Sequence, residues 1–261
     1  MAIGYNENMT EDSKQRRGIY LLPNLFTTGA MFGGFYAIIA AMHDKYEAAA
    51  IAVFVAMILD GLDGRIARMT NATSAFGAEY DSLSDMVSFG LAPALVMYEW
   101  ALVGMKDFGW QWGKLGWLAA FFYAVCAALR LARFNTQVGK ADKRYFQGLP
   151  SPTAAALLMG MVWSMHDLGI EGRALIPAAF ALTLIAGALM VSNISYYSFK
   201  ELDLKHKVPF WVLIAAVLVL MLVTFDTPKV LFMLALVYTA SGPVIAVMRR
   251  FRRRRRAGGK V

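Results

Sequence analysis

Eight apolar stretches, each of a length that suits a membrane crossing, leave this sequence few ways to fold. A hydrocarbon core roughly 30 Å thick takes about 20 residues of helix, because buried backbone groups find no water there. The stretches read as spans over residues 19–42, 47–66, 79–103, 115–134, 152–168, 174–193, 208–225 and 229–248. Across 261 residues, 58% are hydrophobic and the mean hydropathy is +0.49. Such a balance excludes a soluble α/β domain and predicts an all-α, polytopic membrane bundle of about eight helices.

Charge supplies the orientation. With eight spans both termini share one side, and that side collects most of the 26 lysines and arginines. Only Lys45, Lys106, Lys114, Arg173 and Lys229 fall on the other. The positive-inside rule then predicts cytoplasmic termini in a cell membrane. The tail Arg249-Arg250-Phe251 with Arg252 to Arg256 directly follows a span. It reads as an anchor for anionic lipid headgroups rather than a nucleic-acid patch. Cys126 lies inside a span as a packing residue, and residues 1–18 carry no signal-peptide pattern.

The expected organisation is one integral domain. Residues 1–18 form a cytoplasmic lead-in, disordered or lying on the surface, and 19–200 form the core. Residues 201–248 add two helices and 249–261 a basic tail. The longest cytoplasmic connection, 135–151, ends in Gly148-Leu149-Pro150-Ser151-Pro152, whose prolines suit a stop before a span. Trp100, Trp110, Trp112 and Trp117 cluster as an interfacial belt. No repeat of fixed period is present.

Against this apolar background stand Asp60, Asp63, Asp81 and Asp85. Carboxylates beside a membrane core are costly unless paired or bound to metal. Asp60, Asp63, Gly64, Ala67 and Arg68 share one helical stripe, and Asp81, Ser84, Asp85 and Ser88 share another. A short turn from Met69 to Phe76 would let the two helices pack antiparallel, so that four carboxylates converge. They cannot all stay ionised without a cation. Hard oxygen donors suit Mg²⁺ or Mn²⁺, and two such ions about 4 Å apart serve displacement at phosphorus. Gly64 lets a ligand approach the helix, and Arg68 can meet a phosphate oxygen. A lone aspartate here would be only an interhelical hydrogen-bond partner, and a lone Arg68 a snorkelling residue. Four aspartates in register with two glycines and an arginine point instead to diphosphate chemistry. A carboxylate relay in a cation-coupled transporter is the alternative from another class.

The pattern Asp60-x2-Asp63-Gly64-x2-Ala67-Arg68-x8-Gly77-x3-Asp81-x3-Asp85 resembles the signature of the CDP-alcohol phosphotransferase family at every fixed position. The resemblance implies a helical membrane enzyme, usually dimeric, that displaces CMP from a CDP-linked donor with two divalent cations. It makes Asp60, Asp63 and Asp81 metal ligands. Asp85 becomes a ligand of the second ion and the acceptor's general base. Gly64, Arg68 and Ser74 would touch the donor's cytidine diphosphate, as would Asn24 and Thr27 at the cytoplasmic start of the first span.

Further segments resemble the branch that takes CDP-diacylglycerol as donor and L-serine as acceptor. They are residues 85–94, Leu129-Arg130-Leu131-Ala132-Arg133-Phe134-Asn135, residues 146–152, Met190-Val191-Ser192-Asn193, and Tyr196 to Lys200. Together they extend the similarity over roughly residues 18–200. Arg130 and Arg133 offer a cation to the serine carboxylate, but glycerol 3-phosphate would suit them as well. The resemblance therefore implies transfer of a phosphatidyl group to L-serine, giving phosphatidylserine and CMP, with glycerol 3-phosphate or an inositol derivative as the alternative acceptor. The last two spans receive no chemistry.

Overall fold

A computed structural model describes residues 8–70, 74–137, 145–197 and 210–258. Residues 1–7 of the lead-in, 71–73 of the short turn, 138–144 of the long connection, 198–209 and 259–261 lie outside the described residues, as do the side chains of the tail arginines.

Among the described residues, helix covers most of each predicted span. The elements are α1 (Asn8–Ala41), α2 (Tyr46–Met69), α3 (Ala75–Asp85) and α4 (Ala92–Trp100), then α5 (Trp110–Gln137), α6 (Ser151–Asp167) and α7 (Ile176–Val191), and finally α8 (Phe210–Phe225) and α9 (Thr227–Gly258). A π-helical turn, Met86–Leu91, joins α3 to α4, and 3₁₀ turns cover Leu102–Phe108 and Gly172–Leu175. A short antiparallel pair, β1 (Tyr145–Gln147) with β2 (Ser195–Tyr197), closes one end with Phe146 opposite Tyr196. The chain is an all-α membrane protein.

The span count is less simple than eight. Four described segments are long and apolar enough to cross a bilayer: Leu22–Ala41, Trp110–Thr136, Gly172–Val191 and Thr227–Met248. The bent pair Ala75–Trp100 with Leu102–Phe108 makes a fifth if taken as one crossing. The helix α2 is diluted by Asp60, Asp63, Arg65 and Arg68, and α6 and α8 have only 17 and 16 residues. Helix α1 begins at Asn8, ahead of the first predicted span.

Small residues set the packing. Ala37, Ala49, Val53 and Ala56 are fully buried between α1 and α2, which form a hairpin through residues 42–45. In lipid, helices associate by close van der Waals contact and shared polar bonds, so small side chains along a seam bring backbones together. The π-turn meets α1 at Gly34, where a Cβ would lie 2.6 Å from Ser88 Cα. The Ser88 hydroxyl donates to the Ala30 carbonyl at 2.9 Å.

The π-turn has an identifiable support. Pro93 has no N–H to offer the carbonyl of Phe89 four residues earlier. The hydroxyl of Tyr123 on α5, wholly buried, donates to that carbonyl at 3.1 Å. A polar group freed inside the bundle is thereby satisfied.

Replacing Gly34 by Val should lower the unfolding free energy in detergent by roughly 1–3 kcal/mol, the usual range for overpacking. An unchanged thermal midpoint would contradict the close α1–Ser88 approach.

Candidate functional site

Helix α1 organises the acidic cluster. The Thr27 hydroxyl donates to Asp63 Oδ2 on α2 at 2.5 Å. The Thr27 carbonyl accepts from the Ser84 hydroxyl on α3 at 3.0 Å. Thr28 and Tyr80 share a further hydroxyl–hydroxyl bond of 2.9 Å. The expected direct antiparallel pairing of α2 with α3 is therefore corrected: both helices make their principal packing against α1. Ser84 and Ser88, expected to continue the face of Asp81 and Asp85, bond the α1 backbone instead.

The carboxylates nevertheless converge. One ligand oxygen from each of Asp60, Asp63 and Asp81 lies within 4.8 Å of the others. Asp85 joins the group within electrostatic range of Asp60 and Asp81, with Arg130 as an opposing charge. Its Oδ1 is buried with no hydrogen-bond partner among the described residues. Carboxylates this close repel one another unless a proton or cation lies between them. An all-oxygen donor set with an orphaned buried oxygen fits a hard divalent cation.

Beside the cluster lies a cavity of about 150 Å³. Pro23, Asn24 and Thr27 of α1, Asp63, Gly64 and Ala67 of α2, and Ser74, Gly77, Ala78 and Asp81 around α3 line it. Ser74 caps α3, its Oγ accepting from the Gly77 N–H at 3.0 Å. Gly64 leaves open space beside the α2 backbone, for nothing lies within 4 Å of where its Cβ would stand. The predicted donor contacts Asn24, Thr27, Gly64 and Ser74 thus share one cavity with Asp63 and Asp81.

Arg68 does not line it. Its Nε donates to the Gly64 carbonyl one turn earlier at 2.9 Å.

The predicted acceptor residues separate. Arg130 Nη1 donates to the Ser151 hydroxyl at 2.6 Å, and its Nε is buried without a partner among the described residues. Arg130 and Asp85 are opposite charges within electrostatic range of each other. Arg133 donates to the Ser192 carbonyl and Asn193 Oδ1 at 3.4 and 3.3 Å, holding the turn before β2. The sequence does not single out Ser151 as a partner of Arg130; it is visible there only as a small polar residue between two prolines.

Comparison with known proteins follows the same region. Residues 20–192 match the family model described as CDP-alcohol phosphatidyltransferase. A Helicobacter pylori protein named CDP-diacylglycerol–serine O-phosphatidyltransferase is 38% identical over 197 residues, 75% of this chain and 80% of its own. A Mycobacterium bovis protein of that name is 42% identical over 155 residues, covering 56% of this chain and 51% of the relative. One from Saccharomyces cerevisiae is 35% identical over 149 residues, 52% and 51% of the two chains. With three carboxylates gathered inside a helical membrane bundle, and the matched segment spanning most of the chain, the protein belongs to the CDP-alcohol phosphatidyltransferase family.

Proposed function

We propose that this enzyme transfers the phosphatidyl group of CDP-diacylglycerol to the hydroxyl of L-serine, giving phosphatidylserine and CMP. The observation that carries the reading is the carboxylate cluster of Asp60, Asp63 and Asp81 opening on the cavity lined by Asn24, Thr27, Gly64 and Ser74. Family membership supports the reaction, and the relatives' names support serine as acceptor. A relay for ion transport would not account for the match of residues 20–192 to the family model.

Asp60, Asp63, Asp81 and Asp85 would hold two divalent cations, Mg²⁺ or Mn²⁺. When bound, these supply positive charge against the diphosphate and the departing CMP phosphate. The chain's own residues do the rest. Thr27 fixes the Asp63 carboxylate through its hydroxyl. Asn24, Thr27, Gly64 and Ser74 seat the cytidine diphosphate, and Arg68, one helical turn beyond Gly64, offers its remaining guanidinium donors to a phosphate oxygen. Asp85 takes the proton from the serine hydroxyl. The serine oxygen then bonds to the phosphorus that carries the diacylglycerol, and the bond from that phosphorus to the CMP oxygen breaks. CMP departs with the electron pair, its phosphate needing no proton. Arg130 pairs with the serine carboxylate, while Arg133 steadies the turn at Ser192 and Asn193.

The same reading has the active site and both termini in the cytoplasm, the acyl chains in lipid, and an eight-helix homodimer in the cell membrane. Residues 19–200 form its catalytic core, flanked by the lead-in 1–18, the added helices 201–248 and the tail 249–261. The concentration of basic residues on one side supports the sidedness.

Purified protein given labelled CDP-diacylglycerol, Mn²⁺ and a panel of alcohols should release CMP with L-serine and lose that activity on chelation. Release with glycerol 3-phosphate alone would overturn the serine reading, and no release with any acceptor would overturn the transferase reading. Asp81→Asn should cut turnover by at least about 10²-fold while keeping the thermal midpoint, because a lost ligand costs at least what a lost outer partner does. Full activity in that variant would remove the metal site. Thr27→Val keeps shape but deletes the bond to Asp63. The Mn²⁺ concentration for half-maximal rate should then rise by about 10-fold or more, read from a metal titration of initial rates.

A further inference from the structure

A run of close contacts between α5 and the stretch from α3 into α4 sets the level of Arg130. Tyr123, Ala127 and Arg130 stand at i, i+4 and i+7 on α5 and so share one stripe. The Tyr123 hydroxyl donates to the Phe89 carbonyl at 3.1 Å. A Cβ on Gly90 would lie 3.3 Å from Ala127 Cβ. Farther along α5, Asn135 Nδ2 donates to the Ser82 hydroxyl at 3.0 Å. The two segments therefore run antiparallel. Arg130, between Ala127 and Asn135, faces the stretch between Ser82 and Phe89 that carries Asp85.

Ser151 holds the guanidinium at that level. Arg130 Nη1 donates to its hydroxyl at 2.6 Å, and Ser151 is fully buried. A serine at the start of a helix ordinarily caps a free backbone N–H. Here Pro150 occupies the N-cap position and makes no side-chain cap bond, with Ser151 as the first helical residue. The backbone fixes where the hydroxyl stands. The Gly148 N–H donates to the Ile194 carbonyl at 2.8 Å, and the Leu149 N–H to the Leu189 carbonyl at 2.9 Å. Gly148 has a φ of +78°, and any Cβ there would collide with the Met190 carbonyl. Pro150 and Pro152 then restrict the backbone on either side of Ser151.

The chemistry of this partner matters. A carboxylate opposite Arg130 would hold it as firmly but would neutralise it. A hydroxyl accepts the hydrogen bond and leaves the positive charge intact. Arg130 Nε stays buried and unpartnered among the described residues, so donor capacity remains for an anion.

We propose that Ser151 is a positioning residue for acceptor recognition, holding Arg130 level with Asp85 by a neutral bond that keeps the guanidinium's charge available to the anionic group of the acceptor alcohol. The proposal rests on the reading of Arg130 as the acceptor's partner. Ser151, wholly buried, acts only through Arg130.

Steady-state kinetics of full-length Ser151→Ala test it, since the change removes one oxygen and little volume. The KM for L-serine should rise about tenfold, the low end for a lost bond to a charged group. A lost binding contact raises KM and spares kcat, so kcat should stay within about twofold and the KM for CDP-diacylglycerol should not move. An acceptor KM within about twofold of the unsubstituted protein, or an equal rise in both KM values, would overturn the proposal. Arg130→Gln, measured beside it, separates the two readings. If that variant impairs use of the acceptor and Ser151→Ala does not, the positioning role alone is overturned. If neither does, the reading of Arg130 falls with it. Should the unsubstituted enzyme use glycerol 3-phosphate and not serine, the serine reading fails alone, and the same thresholds apply to the KM of that acceptor.

Discussion

A carboxylate held among apolar helices needs a donor that does not come from water, and Thr27 supplies one to Asp63. The same residue's carbonyl takes Ser84 from the other side, so a single residue of α1 ties α2 to α3 where the acidic side chains meet. Ser88 to Ala30 and Thr28 to Tyr80 repeat the device along α1. A neutral hydroxyl bond offsets only part of the cost of a buried charge; a hydrogen bond to a charged group contributes about 1.5–3 kcal/mol. The remaining cost stays in the cluster as a standing attraction for cations. The polar bonds thus give the bundle its register and leave the carboxylates short of positive charge.

Asp85 sits where this register changes. It ends α3 and precedes the π-turn, where one extra residue rotates everything that follows relative to the stripe of Asp81, Ser84 and Ser88. Without that rotation the helix could not keep polar groups on α1 and then bury Val96, Met97 and Trp100 in the apolar core. Pro93 and Tyr123 make the turn tolerable by settling the Phe89 carbonyl. The bond from α5 also fixes the helix that carries Arg130, so the proposed base and the proposed acceptor cation are set by one piece of packing.

Helices and the carboxylate stripes were legible because both depend on spacing within one element. Asp60 and Asp63, or Asp81 and Asp85, must share a face once the segment is helical. The identity of the helix between them was not legible. The short turn after Met69 suggested direct pairing, whereas small residues such as Ala49, Val53 and Ala56 select α1 as the partner. The crossing count blurred where α2 carries its functional charges, because what makes the site also dilutes the hydropathy.

The arrangement divides the work along the chain. Cavity residues from α1, α2 and α3 all precede residue 82, while Arg130 and Ser151 lie after α4. Asp63 and Asp81 belong to the first group, and Asp85 follows it at the end of α3. On the proposed reading, one half of the sequence carries donor recognition and displacement at phosphorus, and the other carries the acceptor. Substitution in the second half can then change the alcohol without disturbing the metal ligands, provided Arg130 keeps its distance from Asp85. That separation explains how one set of aspartates can serve different acceptors: the chemistry is local to a few helical turns, and selectivity is delegated to helices that pack against them.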